Sequence, residues 1–387
     1  MDAALLDRLV ALRRDLHRHP EVGWNVERTA SRVERELKAL GIPCRRIADV
    51  GVLAELPGTA AGRPAVALRA DMDALPLREA GGGPYASAVP GVMHACGHDG
   101  HVSALVGAAA LLASDRLPAP VRLLFQPAEE IAEGAARLIA EGALDGVTGI
   151  FGLHLDVSLG VGEIAAPEGA VNASTDEFTI RLSGPGGHAA RPHETSDPVV
   201  AAAFLISELH TIVPRRVPPH EPAVVTVGRV TAGSTSNTIA EEARLDGTLR
   251  AMRPEIREAL REAIRRLTES AAEAHGLGGA VTMERGTPPV INRRRATDIA
   301  RRAAADAVGP ERVRTEALHN LGGEDFGFYL ERAEGAFVRI GARIDDGVHR
   351  WAHSGRFDFD ERAIGIAAAY FAAVARLAGR ELAGVEA

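Results

Sequence analysis

The eleven residues from Gly91 to His101 include three histidines, a cysteine and an aspartate. Within this segment Cys96 and His98 are two positions apart, and side chains at that spacing point to different faces of a helix. Both can approach one centre only from a loop or an extended stretch. A thiolate beside an imidazole is typical of sites for first-row transition metals. A tight turn with surface histidines is the simpler alternative for this segment taken alone.

Further residues of metal-binding type come directly after predicted strands. The sequence predicts buried strands at residues 64–70, 121–125, 149–153 and 335–341. Strands that alternate with helices predict an α/β domain, with a mostly parallel sheet flanked by helices. Sites in such sheets form outside the carboxyl ends of the strands. We therefore expect one rim of the sheet to gather the residues just past the strand ends, which are Asp71, Asp73, Glu129, Glu130 and His154. His353 comes later in the chain, after the fourth strand.

Mixed nitrogen, oxygen and sulfur ligands at this rim predict two metal ions. Five ligands exceed what one tetrahedral ion with an open position requires. Two ions that share a bridging ligand fit the number better, and Cys96 is the predicted bridge. Two ions about 3.5–4 Å apart can activate one water molecule. The predicted metal ligands are Cys96, His98, Glu130, His154 and His353.

Glu129 is the predicted catalytic base. Adjacent residues in a turn point apart, so Glu130 can bind metal while Glu129 faces the water. Glu129 would take a proton from that water and pass it to a leaving amine. The alternative is that paired glutamates before a helix only interact favourably with the helix dipole.

Three aspartates are predicted to support this site. The carboxylate of Asp73 is expected to accept the free N–H of a ligand histidine and thereby orient the ring. Asp71 can serve in the same way, or it can bind metal directly. Asp99 is predicted to be the N-cap of a helix over residues 101–112.

The middle of the chain has a different order of elements. Its pattern is β-α-β-β-α-β, which is typical of a ferredoxin-like fold, and the first of its helices is predicted at residues 198–213. We expect residues 172–286 to form a separate domain that is inserted into the first one. The catalytic, metal-binding domain into which it is inserted would comprise residues 1–171 and 287–387.

Three residues of the inserted segment are predicted to contact a substrate. His188 lies on a glycine-rich turn and can polarise a carbonyl that becomes an oxyanion. Asn237 and Arg250 can bind a substrate carboxylate, for which the arginine fork is well suited. Each also has a plain alternative as a turn histidine, a turn asparagine and a surface arginine.

Composition restricts the class of protein. The 387 residues are 46% hydrophobic and 25% charged, with a net charge of −8 and no basic run, which argues against a nucleic-acid partner. We find no apolar run of the roughly 20 residues that a membrane span needs. Two cysteines and no recognisable signal peptide favour a reducing compartment, so we expect the protein to be cytoplasmic.

Several motifs, taken in chain order, resemble those of the metal-dependent amidohydrolases of the aminoacylase and carboxypeptidase G superfamily. The similar branch includes hippurate hydrolase, indole-3-acetyl-amino-acid hydrolase and N-acyl-L-amino-acid amidohydrolases. In one departure, Trp351-Ala352 precedes His353 where the family usually has a leucine before this histidine. The matching motifs lie at residues 69–76, 94–101, 126–130, 152–154, 186–193, 322–326 and 353–360.

This resemblance implies hydrolysis of the amide bond of an N-acyl amino acid with an acetyl, benzoyl or arylacetyl group. It implies two divalent ions on the five predicted ligands, Mn²⁺ or Zn²⁺, with Ni²⁺ or Co²⁺ as further candidates. It implies Glu129 as general base and His188 at the oxyanion, often in a partner's site. It also implies that the inserted domain, residues 172–286, is a lid and dimerisation domain through which a homodimer or homotetramer forms. The alternatives are a deacetylase, an aminobenzoyl-glutamate-type hydrolase and a non-catalytic metal-binding protein.

Overall fold

A computed structural model of the chain describes residues 1–59, 62–316 and 320–384. The chain divides into two compact units. Unit 1 comprises Met1–Val171, Ile291–Leu318 and Asp325–Ala387, and unit 2 comprises Asn172–Val290 and His319–Glu324.

The helices and strands alternate through most of the chain. The helices are α1 (Ala3–Arg18), α2 (Glu27–Ala39), α3 (His98–Leu112), α4 (Gly134–Ala140), α5 (Pro198–Leu209), α6 (Ile212–Arg216), α7 (Pro254–Ala274), α8 (Arg294–Val308), α9 (Gly327–Leu330) and α10 (Arg362–Glu381). The strands are β1 (Cys44–Ile47), β2 (Gly51–Leu56), β3 (Ala65–Asp71), β4 (Val121–Gln126), β5 (Val147–Gly160), β6 (Ile164–Ala165), β7 (Gly169–Asn172), β8 (Ser174–Ser183), β9 (Gly187–His188), β10 (Ala223–Ala232), β11 (Thr238–Ile239), β12 (Glu242–Ala251), β13 (Gly278–Arg285), β14 (Val290–Asn292), β15 (Val313–Arg314) and β16 (Glu334–Arg343).

Unit 1 is built on one large sheet with the strand order β1-β2-β4-β3-β5-β16-β6-β15. Its four central strands, β4, β3, β5 and β16, are parallel to one another. Strand β3 is buried along its whole length, as expected for a parallel strand covered on both faces. The predicted α/β class with a mostly parallel central sheet is confirmed.

Helices α3 and α10 pack together in the core of unit 1. A side chain at Gly107 of α3 would meet Leu9 at 2.6 Å and Ala368 at 2.8 Å, so this glycine allows the close approach. Among the described residues, α10 alone is long and apolar enough to cross a membrane, and 61% of its most apolar window is buried inside the protein. Its Phe371 and Ala375 belong to the hydrophobic core, so packing explains the apolar composition of α10.

Unit 2 contains an antiparallel sheet with the strand order β10-β12-β8-β13. With α5 and α7 in the chain order β8-α5-β10-β12-α7-β13, this is the predicted ferredoxin-like arrangement. Its core includes Ile180 from the sheet, Leu205 from α5 and Ile264 from α7. The prediction of one helix over residues 198–213 is wrong, because the chain turns between α5 and α6. There the Thr211 hydroxyl donates to the Glu208 carbonyl, a local bond that competes with helix continuation.

Candidate metal centre

Helix α3 starts at His98, three residues earlier than predicted. Its N-cap is Gly97, whose φ of 94° lies in the left-handed region that favours glycine. The prediction that Asp99 is the N-cap is therefore wrong. Asp99 lies in the first turn, where its Oδ2 accepts hydrogen bonds from Arg13 Nε at 2.9 Å and His17 Nδ1 at 2.8 Å.

One nitrogen of His98 faces two glutamates. Its Nδ1 donates to the carbonyl of Asp73 at 2.8 Å, which leaves Nε2 as the atom that can bind a metal ion. This Nε2 lies 3.9 Å from Glu129 Oε2 and 3.9 Å from Glu130 Oε1. The carboxylates of Glu129 and Glu130 thus converge on His98 instead of pointing apart as predicted. Both His98 Nε2 and Glu130 Oε1 are buried and lack a hydrogen-bond partner among the described residues.

His154 places its second nitrogen beside Cys96. His154 Nδ1 donates to the carbonyl of Leu155 at 2.7 Å, and Nε2 lies 3.3 Å from Cys96 Sγ. The prediction that a strand ends just before His154 is wrong, since β5 continues to Gly160. Its pairing with β16 persists past this point, with His154 opposite Arg339. Sequence periodicity around residues 149–153 does not reveal that partner strand.

His353 approaches the site from the opposite end of the chain. Its Nε2 lies 3.5 Å from Glu130 Oε2, and its backbone N–H donates to the carbonyl of Ala95 at 2.8 Å. The backbone φ of His353 is 61°, a conformation that costs energy for a residue with a side chain. Such strain at a residue that faces Glu130 indicates that the position of this imidazole matters to the site.

The ligand-type atoms form two triads that share Cys96. In one, the potential ligand atoms of Cys96, His98 and His154 lie within 4.8 Å of one another. In the other, those of Cys96, Glu130 and His353 do. Buried polar atoms are normally hydrogen-bonded, so the unpartnered His98 Nε2 and Glu130 Oε1 fit atoms that bind a cation. The donor set of thiolate, imidazole and carboxylate suits divalent transition metals.

The Asp73 side chain supports the turn that carries the two glutamates, and its Oδ1 also lies 3.7 Å from His98 Nδ1. Its two carboxylate oxygens accept the backbone N–H groups of Glu129 at 3.0 Å and Glu130 at 3.1 Å. The backbone carbonyl of Asp73 makes the shorter contact with His98 Nδ1, at 2.8 Å, and the prediction that this carboxylate orients a ligand histidine stays a prediction. The turn also contains Ala128 at a φ of 58°, so both the Asp73 bonds and a left-handed residue shape it.

Burial and neighbouring charges shift the pKa values of the centre. Burial raises the pKa of Glu130 to about 7, and the carboxylates of Asp73 and Asp71 contribute to the rise. Burial opposes a charge on His98, but Asp71 and Cys96 outweigh it, so the pKa of His98 is well above its ordinary value. Burial also raises the pKa of the Cys96 thiol. A bound divalent cation would favour the ionised carboxylate and the thiolate.

A buried network behind the centre was missed by the sequence analysis. Arg69 donates to Asp71 Oδ2 at 2.6 Å, to Asp325 Oδ1 at 2.7 Å and to Gln126 Oε1 at 2.9 Å. Asp71 therefore already has Arg69 and, at 2.6 Å, His101 as partners. A single arginine in an apolar strand is a signal that could have revealed the network, because a buried guanidinium needs acids around it.

Two residues predicted to bind substrate lie together in unit 2. His188 in β9 pairs with Thr238 in β11, and the N–H of Ala189 donates to the carbonyl of Asn237 at 3.1 Å. His188 and Asn237 are both exposed. His188 Nδ1 accepts the N–H of Ala190 at 3.1 Å, which fixes the ring on its turn.

Arg250 lies at a different place in unit 2. It is in β12, where it pairs with Thr175 near the start of β8, whereas β9 follows the end of β8. Its side chain is half-buried, its Nη1 donates to the carbonyl of Leu249 at 3.1 Å, and burial lowers the pKa of Arg250. The roles of His188, Asn237 and Arg250 stay predictions.

The chain matches a known family over most of its length. The model of Peptidase family M20/M25/M40 matches residues 67–377. The N-acetyl-L-cysteine deacetylase of Bacillus subtilis is 41% identical over 372 residues, which cover 95% of this chain and 87% of that protein. The IAA-amino acid hydrolase ILR1-like 2 of Arabidopsis thaliana is 35% identical over 378 residues, covering 96% of this chain and 85% of that protein.

A solved structure is similar as well. A Bacillus subtilis protein described as a dinuclear metal binding peptidase from the M20 family superimposes with a TM-score of 0.86 and 38% identity, over 97% of this chain and 98% of that one. Together with the donor triads, these similarities identify the class of enzyme. The chain belongs to Peptidase family M20/M25/M40 and is a metal-dependent amidohydrolase.

Proposed function

We propose that the chain hydrolyses the amide bond of N-acyl amino acids with two divalent metal ions. The observation that carries the proposal is the pair of donor triads that share Cys96, with Glu129 beside them. Cys96, His98 and His154 would hold one ion, and Cys96, Glu130 and His353 the other. When bound, two such ions supply Lewis-acid activation of water and of the amide carbonyl.

Glu129 is the residue that moves the proton. Its carboxylate accepts a proton from water as the water oxygen forms a bond to the carbonyl carbon. It then returns the proton to the amide nitrogen as the C–N bond breaks, and this releases a carboxylic acid and an amino acid. The Asp73 carboxylate holds the backbone of Glu129, so the base is fixed before substrate binds. A non-catalytic metal site would have no use for this acid.

The substrate class is inferred from the relatives named above. One is a deacetylase of N-acetyl-L-cysteine and another a hydrolase of IAA-amino acids, and both act on an amino acid that carries an acyl group. We further propose that His188 stabilises the oxyanion and that Asn237 and Arg250 bind the substrate carboxylate. For the ions we propose Zn²⁺ or Mn²⁺, of which Zn²⁺ suits the thiolate better. We also propose that the enzyme acts in the cytoplasm.

A homodimer or homotetramer through unit 2 is proposed as the oligomeric state. Helix α5 exposes three large apolar side chains, Val199 at 45%, Val200 at 44% and Phe204 at 62%. Apolar side chains grouped on one face of a helix mark a contact surface more often than isolated ones do. Light scattering should give the mass of a dimer or tetramer for the wild type and of a monomer for Phe204→Asp. A monomeric wild type would contradict the proposal.

The test of the activity is a substrate panel. The protein loaded with Zn²⁺ or Mn²⁺ is incubated with acetyl-, benzoyl- and indoleacetyl-amino acids and with aminobenzoyl-glutamate, and the released amino group is measured. We expect turnover of at least one acyl amino acid, which also names the acyl group. Turnover of aminobenzoyl-glutamate alone would favour the alternative hydrolase. No turnover with two ions confirmed per chain would contradict the proposal.

A further inference from the structure

A chain of buried side chains leads from Asp325 to His101. Asp325 Oδ1 accepts from Arg69 Nη2 at 2.7 Å, and Arg69 Nη1 donates to Asp71 Oδ2 at 2.6 Å. Asp71 Oδ1 then lies 2.6 Å from His101 Nδ1. All four side chains are buried, so water does not compete for these hydrogen bonds.

The direction of the next hydrogen bond determines where His101 carries its proton. The backbone N–H of Leu155 donates to His101 Nε2 at 2.9 Å. A nitrogen that accepts a hydrogen bond has no proton of its own, so the ring is neutral and protonated at Nδ1. That Nδ1–H is donated to Asp71, which Arg69 holds in place. The opposite tautomer would set two N–H groups against each other at Leu155.

Leu155 links His101 to His154. Its N–H is bound by His101, and its carbonyl accepts the Nδ1–H of His154 at 2.7 Å. This second bond leaves His154 Nε2 without a proton, 3.3 Å from Cys96 Sγ. The pairing of β5 with β3 ends at Gly152, so Leu155 lies where β3 no longer holds the strand. There the side chain of His101 accepts the backbone N–H of Leu155 in place of a hydrogen bond to β3.

We propose that His101 is a positioning residue that fixes the tautomer and orientation of His154 through the peptide groups of Leu155. The inference rests on the proposed function only where His154 is taken as a metal ligand. His101 lies near Asp71 and His98 in a cluster that could itself hold a metal ion. It is not a ligand, however, because both of its ring nitrogens are already used.

The first test is a ¹⁵N NMR spectrum of the metal-free protein labelled with ¹⁵N-histidine. We expect His101 and His154 each to show a protonated Nδ1 and an unprotonated Nε2. A wild-type spectrum with the proton of His101 on Nε2 would overturn the proposal. This result requires no variant, so it decides the question even where a substitution prevents folding.

The second test compares two substitutions of the same residue. His101→Leu removes both hydrogen bonds, whereas His101→Gln keeps a donor and an acceptor on one planar group. We expect His101→Leu to give a mixture of His154 tautomers and a Zn²⁺ affinity about 10–100-fold weaker than wild type, since outer partners of metal ligands have effects of this size. His101→Gln should restore most of both. His94→Gln, which changes another buried histidine of the segment from Gly91 to His101, should leave the His154 tautomer unaltered.

The outcomes separate this inference from the proposed function. Unchanged Zn²⁺ affinity and an unchanged His154 tautomer in folded His101→Leu would overturn the positioning role. A wild-type enzyme that binds Zn²⁺ but hydrolyses no substrate would instead contradict the proposed function, and the spectrum of the metal-free protein would still stand.

Discussion

Two polar clusters contain neighbouring residues of α3, Asp99 in one and His98 in the other, both of which are buried, and the clusters differ in how their charges are paired. The Asp99 cluster consists of Arg13, His17, Asp99, Asp358 and Glu361. The His98 cluster consists of Cys96, His98, Glu129, Glu130, His154 and His353. In the first, Arg13 donates from Nε to Asp99, from Nη2 to Asp358 and from Nη1 to Glu361, at 2.9 to 3.3 Å. In the second, His98 Nε2 and Glu130 Oε1 face each other at 3.9 Å, both lacking a hydrogen bond within the described ranges.

The Asp99 cluster is closed, because its charges are paired within the chain, whereas the His98 cluster is open and is the one that we propose to be reactive. A buried carboxylate is tolerated when a cation pairs with it. Arg13 supplies that cation to Asp99 from within the chain, whereas the acids around His98 are suited to a cation from outside. Because Asp99 follows His98 directly, the Arg13 pair also holds the first turn of α3. The closed cluster would thus fix His98, one of the proposed metal ligands of the open one.

The largest expected effect is that of Glu129→Gln on turnover. The amide keeps the size of the side chain but cannot take a proton, so kcat should fall about 10²–10⁴-fold. Steady-state kinetics with a hydrolysed acyl amino acid measure this, and metal analysis should still find the ions bound. Glu133→Gln, in the same turn and bonded to Trp24 at 2.7 Å, should keep nearly full activity. Retained turnover in Glu129→Gln would show that the base lies elsewhere.

Asp99→Asn should break the closed cluster. Asp99 is the fully buried partner of Arg13, and the partly exposed Asp358 and Glu361 that remain compensate the guanidinium only in part, so the free energy of unfolding at neutral pH should fall by at most about 3–5 kcal/mol. Denaturant unfolding measures the change. Asp115→Asn, which alters the half-exposed pair with Arg376, should have little effect. Equal effects of the two substitutions would mean that Arg13 has no special role.

Acid should weaken the same cluster. Burial alone would raise the pKa of Asp99, but Arg13 and His17 outweigh it and hold this pKa well below its usual range. A depressed folded-state pKa gives stability that is fully present above the unfolded-state pKa of about 3.9 and is lost as the pH falls below it. Below about pH 4 the wild type should therefore lose stability more steeply than Asp99→Asn. Parallel curves would contradict this linkage.

Metal removal should affect only the open cluster. Ligand at about 100 times its Kd stabilises a folded protein by about 2.7 kcal/mol, so chelation should lower the melting temperature. In Asp99→Asn, if it folds, this metal-dependent increment should be smaller than in the wild type, because the Arg13–Asp99 pair holds the turn that carries His98. Because burial raises the pKa of Glu130 to about 7, a proton competes with the ion below that pH and the apparent affinity should fall. A melting temperature indifferent to chelation would contradict a bound ion.

A metal-binding site around Cys96 could be predicted from the sequence, because thiol, imidazole and carboxylate side chains are typical metal ligands. The parallel sheet could be predicted as well, from buried strands that alternate with helices. Partners distant in sequence could not. Asp99 was assigned to a cap from its neighbours, whereas its partner Arg13 lies 86 residues away. The length of β5 likewise depends on β16, which pairs with it from far along the chain.

The sequence also could not predict whether the side chain or the backbone of a residue makes a given hydrogen bond. The sequence predicts that the carboxylate of Asp73 faces a ligand histidine, whereas in the structure its backbone carbonyl makes the short hydrogen bond to His98 and its carboxylate accepts the N–H groups of Glu129 and Glu130. A sequence pattern states which groups a residue offers and does not state which of them faces a neighbour. The same limit applies to His101, whose role depends on a backbone N–H of Leu155.

Asp73→Asn should have the smallest effect on activity and stability. It should distinguish the support that Asp73 gives to the two glutamates from its contact with His98. The backbone carbonyl that binds His98 is kept, while one of the two acceptors for the N–H groups of Glu129 and Glu130 becomes a donor. We expect kcat/KM to fall about 10–100-fold, as for other outer partners of metal ligands, with a smaller loss of stability than in Asp99→Asn. Kinetics and denaturant unfolding of the same preparations measure both. A loss of stability as large as that of Asp99→Asn would mean that Asp73 stabilises the fold as Asp99 does. The distinction between the closed and the open cluster would then not hold for Asp73.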